Sequence, residues 1–224
     1  MCIAQGYIDK EGKEIWIYYN DDNGQEKSFR YSIGMNCTVN NSVAHAFVNN
    51  LNTMSTNNAG KTVINSIVNS KTKYGFAQAA TRNEGGEGYF NPITKTTSID
   101  DVNNTLAFAE ETFHMYQRVH NQGGKTDVNE VEAKLFSAKM NYEISEWDNG
   151  GWINKISGKA WSPYNNYMSD LLFYGYDDKK YRGAVNSFFS GSYSGKIYKD
   201  DLKYRHGNIS SHPLIKQFLP IKDN

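Results

Sequence analysis

Residues 109–117 read AEETFHMYQ and lie inside a run, 101–120, in which Leu106, Ala109, Phe113 and Tyr116 recur at helical spacing. That spacing predicts a helix with one apolar stripe. Glu110, His114 and Gln117 fall on the adjoining stripe, so a carboxylate and an imidazole stand one turn apart beside the buried face. Glu111 stands between them in sequence, giving an E-E-x-x-H array in which two groups can hold a metal and a third can act as a base. The same spacing also suits a Glu–His pair that is merely solvated or mutually hydrogen-bonded on a helix flank.

Upstream, 74–80 (YGFAQAA) reads as a strand. After the glycine-rich run 82–88 (RNEGGEG) comes YFNPITKTTSID, two short strands joined at Asn91-Pro92 that end in residues 98–100 as the capping region of the main helix. Downstream, HNQGG at 120–124 supplies a natural stop. A further helix is expected over 127–145 (DVNEVEAKLFSAKMNYEIS). Its apolar face holds Val128, Val131, Leu135, Ala138 and Tyr142, with Glu132 beside that face. Glu130 falls with Lys134, Ser137 and Asn141 on the opposite, polar side, so Glu132 is the glutamate expected to look inward.

Farther out, 3–33 alternates and turns. The Asp-Asp-Asn-Gly stretch is a hairpin signal, and Trp16, Tyr18, Phe29 and Tyr31 need a partner surface. Helices are expected over 41–54, with Val43, Phe47 and Leu51 on one side and Asn-rich flanks suited to capping, and over 60–69. His45 stands alone there and reads as structural. Beyond the second long helix lie a linker with Trp147, Gly150, Gly151 and Trp152, then helices near 165–173 and 181–189, then a docking segment, SHPLIKQFLP. The economical organisation is an α+β domain over 41–224 preceded by a β-rich extension over 1–40.

The 24 basic and 24 acidic residues cancel, so no global field holds nucleic acid or an anionic membrane. The Tyr-rich stretch 174–207 is locally basic, but Asp177, Asp178, Asp200 and Asp201 blunt it, and it reads as a solvated face. Two cysteines, Cys2 and Cys37, exclude a disulfide framework and a Cys-based zinc cluster while allowing one bridge. The N-terminal residues lack the pattern of a secretory leader, and nothing later reaches membrane-spanning length. The chain is expected either to stay in the cytoplasm or to travel without a cleaved signal, as one end of a larger polypeptide.

AEETFHMYQ, the strand pair with its NP turn and the later NEVEAKLF together resemble the pattern HELxHAYQ followed by NxExEA. That is the pattern of zincin-like metallopeptidase domains of the gluzincin type, found near the C-termini of bacterial polymorphic toxins, notably in Bacteroidetes. The resemblance covers 74–145. It implies a small mixed sheet packed on an active-site helix and a following glutamate-bearing helix, one divalent metal and a peptide or protein substrate. Carried over residue by residue, it makes Glu111 the general base, His114 the second metal ligand and Glu132 the third. Glu110 stands where the family has its first ligand histidine. A glutamate can reach a metal from that position, at about 2.0 to 2.2 Å for zinc. Two carboxylates acidify a bound water less than a His₂Glu set does, so zinc is the first expectation and a harder ion such as manganese the second.

The chemistry so implied is metal-assisted peptide hydrolysis, with the strand ending near Ile99 aligning the substrate as an added strand. Tyr142, Tyr164, Tyr167 and His120 are the candidates for stabilising the transition state. Three other readings compete. In the first, the Glu-for-His exchange marks a zincin-like binding module without activity. In the second, His114, His120 or His206 serves a toxin nuclease, against which the neutral charge argues. In the third, Glu111 and His114 belong to a di-iron bundle, which needs a second E-x-x-H that the chain lacks. An immunity or inhibitor protein is the partner that a toxin context implies.

Overall fold

A computed structural model describes residues 14–78, 88–122, 126–144, 163–191 and 213–220. The chain divides into two compact units, Met1–Asn121 and Gln122–Asn224. The expectations for the first strand residues, the run 79–87, the glycines at 123–124, the Trp-Gly linker and most of the basic stretch lie outside the described residues. So do those for Cys2, His206 and His212.

In the first unit, Asp21 closes a hairpin between β1 (Ile15–Asn20) and β2 (Glu26–Tyr31). Its Oδ1 accepts the N–H groups of Asn23 at 3.0 Å and Gln25 at 2.9 Å, and Gly24 takes the left-handed turn position at φ +73°. Two helices follow, α1 (Ser42–Thr56) and α2 (Asn58–Val68), and then β3 (Tyr74–Gln78), β4 (Gly88–Asn91) and β5 (Thr96–Ile99). The five strands make one mixed sheet in the order β2-β1-β3-β5-β4, with β1, β3 and β5 parallel and both outer strands antiparallel to their neighbours.

The hairpin of the β-rich extension over 1–40 is part of the sheet, because β1 pairs with β3 as well as β2. The four aromatics that need a partner surface are not buried alike. Ile15, Ile17 and Tyr31 are buried, whereas Trp16, Tyr18 and Phe29 are only half-buried. In IWIYY both alternating sets are apolar, so the pattern could not say which faces the helices. Trp16 lies on the other face, with the Lys73 ammonium 3.7 Å from its ring centre and its indole N–H on Glu14 at 2.7 Å.

On the helix-bearing face, Phe76 of β3 meets Phe47 of α1 and Phe108 of α3 (Thr105–Val119), with ring centres 5.6 and 5.1 Å away. These aromatics tie α1 and α3 to the middle of the sheet. Asparagine side chains cap all three helices: Asn41 accepts from Ala44, Asn57 from Ala59 and Asn104 from Ala107. α3 thus starts at Thr105, not near Asp101. Asp101 instead forms a turn, its Oδ1 accepting from Asn103 and its carbonyl from Asn104.

The second unit contains α4 (Asp127–Glu143), α5 (Pro163–Tyr174), α6 (Asp178–Gly191) and a 3-10 turn, Leu214–Phe218. Thr126 caps α4 by accepting from the Asn129 N–H. α5 and α6 approach so closely that a Cβ on Gly183 would lie 2.5 Å from the Tyr167 ring. The terminal segment docks as expected: Ile215, Phe218 and Leu219 are buried, and Phe218 stands edge-on to Phe136 at 5.6 Å. Tyr142 departs from its expected apolar face. It is 55% exposed and packs edge-on against Phe173, while Ser137 and Asn141 of the expected polar side are buried.

The fold is thus α+β, a five-stranded mixed sheet with six α-helices among the described residues. None of the described helices is long and apolar enough to cross a membrane.

Candidate functional site

Of the predicted stripe, α3 buries Ala109, Phe113 and Tyr116 but leaves Leu106, in its first turn, half-buried, and that burial fixes the orientation of the neighbouring stripe. Glu110 and His114 are half-buried on it, one turn apart. Gln117 lies one turn further and is 1% exposed; its Oε1 is 2.8 Å from His114 Nδ1. An amide oxygen accepts, so this contact is a hydrogen bond in the tautomer whose proton is on Nδ1, the form that leaves the Nε2 lone pair to a metal.

Glu111 follows Glu110 on the helix. It is 7% exposed and lies beside Gly88 at the start of β4. A Cβ on Gly88 would sit 2.7 Å from Glu111 Cγ and 3.1 Å from Oε1, so only glycine leaves room for this carboxylate. The sequence marks the position only as the last glycine of a loop-like run. β4 ends the sheet, and β5 lies between β3 and β4 with both its edges paired. The strand ending at Ile99 therefore has no edge for an added substrate strand, and β4 is the one that ends the sheet on this side.

His120, the C-cap of α3, has its Nε2 3.1 Å from Ser66 Oγ and its ring 4.3 Å from that of Tyr116. Partial burial pushes its pKa below the ordinary histidine value. Of the other candidate transition-state stabilisers, Tyr164 is buried against Phe188, Tyr167 covers Gly183 and Tyr142 is exposed. His45 is exposed on α1.

Within the second unit, Glu132 looks inward as expected and is fully buried. What it faces is the unit's own framework. Its Oε1 accepts from the Tyr181 hydroxyl at 2.7 Å and from the Gln122 amide at 3.0 Å, and its Oε2 accepts from the Ile215 N–H at 3.3 Å. Burial raises the pKa of the Glu132 carboxyl, and the hydrogen bonds from Tyr181, Gln122, Ile215 and Leu214 pull the other way. Burial, followed by the charge of Glu132, lifts Tyr181 far above the usual phenol value. One carboxylate thus joins α4, α6 and the C-terminal turn. Glu130, two residues earlier on α4, is half-exposed.

No family model matches the chain, and no curated protein or solved structure matches it either.

Proposed function

We propose that the chain is a metal-dependent, peptidase-type hydrolase of zincin-like build, in which Glu111 is the base. Glu110 and His114, one turn apart on α3, each offer a metal ion a ligand atom. The pair fits a divalent cation, with one carboxylate oxygen and one imidazole nitrogen. Zinc is the first choice and manganese the second. The observation that carries this reading is the His114–Gln117 bond, which orients an imidazole one turn from a carboxylate in the way metal-binding histidines are oriented. Glu132, the third ligand that the resemblance implies, has its oxygens engaged by Tyr181, Gln122 and Ile215 within the second unit.

A bound cation would supply Lewis acidity, polarising a scissile carbonyl and the attacking water. Glu111, beside Gly88, would take the proton from that water and return it to the leaving amine. An extended peptide would lie along β4, the terminal strand. The resemblance to toxin-borne domains supports a protein substrate in a target cell and an immunity protein as partner.

Elemental analysis of protein purified without chelators tests the site. The parent is expected to carry close to one metal ion per chain, and His114→Ala and Glu110→Ala to carry little. A folded parent that takes up neither zinc nor manganese would overturn the hydrolytic reading. The framework role of Glu132 favours a second reading, a zincin-like binding module in which the position of the expected third ligand serves the fold.

A further inference from the structure

We infer that Gln117 is the positioning residue of the metal site: its side-chain carbonyl locks His114 in the Nδ1–H form and presents Nε2 as the ligand atom. The inference rests on the proposed site, but it also makes a claim about the metal-free protein.

The helix places Gln117 three residues after His114, on the same stripe, so their side chains meet without any help from another element. The amide is almost fully buried at 1% exposure, and burying an amide is costly unless its polar atoms are satisfied. Its Oε1 spends that burial on His114 Nδ1 at 2.8 Å. The result is a ring whose tautomer and tilt are set before any ion arrives, and a preorganised ligand binds more tightly than one that must first be ordered. The acceptor is also neutral. A carboxylate in its place would add negative charge beside a site that already draws on Glu110, and would hold the imidazole in a more basic form. A glutamine fixes geometry without adding charge.

The decisive readout is the ¹⁵N spectrum of the His114 ring in metal-free protein at pH above the histidine range, compared between parent, Gln117→Met and Gln117→Glu. The parent should show the Nδ1–H tautomer. Gln117→Met, which keeps length and loses the acceptor, should shift the ring toward the Nε2–H tautomer favoured by an unconstrained histidine side chain. It should also weaken zinc binding, measured by competition with a chromophoric chelator, by roughly 10- to 100-fold. Gln117→Glu, which keeps an acceptor, should restore the Nδ1–H form and bind zinc at least as tightly as the parent.

An Nε2–H ring in the parent, or zinc affinity unchanged in a folded Gln117→Met protein, would overturn the inference. A parent that binds no metal, yet shows an Nδ1–H ring that Gln117→Met reverses, would sustain the positioning role of Gln117 and bring down the proposed metal site alone.

Discussion

Replacing Glu132 by alanine separates a metal ligand from a framework clasp. The substitution removes the acceptor for the Tyr181 hydroxyl, the Gln122 amide and the Ile215 N–H, at 2.7, 3.0 and 3.3 Å, in a position with no exposure to water. A buried donor left without its acceptor costs about 1–3 kcal/mol, so three of them give roughly 3 kcal/mol at the low end even after relaxation. The released desolvation of the carboxylate offsets part of this, and the cavity left by the side chain adds to it. The expected loss is roughly 3–5 kcal/mol, read in urea by far-UV circular dichroism as an earlier transition of the second unit. Glu132→Gln keeps one carbonyl oxygen for Tyr181 but turns an N–H₂ group toward other donors, and should fall between parent and alanine. Metal content, measured at a temperature where Glu132→Ala is still folded, should stay near the parental level. A variant that loses less than about 1 kcal/mol and also loses its metal would refute the clasp and return Glu132 to the ligand set.

Gly88→Ala places a methyl group within 2.7 Å of Glu111 Cγ, so the carboxylate must move; a displacement of this order should cut peptidase kcat by about 10²-fold while leaving metal content intact. Equal activity in Gly88→Ala would show that Glu111 is not the base. Thr97 is fully buried in β5 and its hydroxyl has no hydrogen-bond partner among the described residues, so the near-isosteric Thr97→Val should raise stability by about 1 kcal/mol in urea unfolding. His120 has a depressed pKa in the folded chain, so the unfolded chain binds more protons just below the ordinary histidine value. Its contribution to stability is therefore present above that value and is lost as pH falls through the folded pKa. Thermal unfolding of His120→Gln between pH 8 and pH 5 should show a shallower decline than the parent.

Where local chemistry and hydrophobic period agree, the sequence carries the fold plainly. Asp21-Asp22-Asn23-Gly24 closes the hairpin it signals, and Ala109, Phe113 and Tyr116 of the predicted stripe are buried in α3. The failures occur where two faces look alike. IWIYY is apolar on both sides, so the choice of Ile15 and Ile17 over Trp16 and Tyr18 came from packing against α1, not from alternation. The place of β1 in the sheet was also hidden, because its pairing with β3 spans more than fifty residues and parallel pairing has no turn to announce it.

The candidate site shows the same division. A helix fixes which of its own residues share a stripe, so Glu110, His114 and Gln117 were placed together by period alone. Periodicity also turned Glu132 inward correctly, but inward is a direction and not a partner. A carboxylate that enters a core must be met by donors, and whether these are a cation or the hydroxyl and amides of the fold depends on what other segments bring. Here Tyr181 comes from α6 and Ile215 from the C-terminal turn, 49 and 83 positions away in sequence. Gly88 poses the converse case, since its meaning lies in an absent side chain beside Glu111, and a glycine in a glycine-rich run gives no sign of what it makes room for. Residues whose role is set by one helix can thus be read from the sequence, and those whose role is set by tertiary closure cannot. That is why the chemistry of α3 can be proposed from its own stripe, while the partners of Glu132 become visible only once α6 and the C-terminal turn are in place.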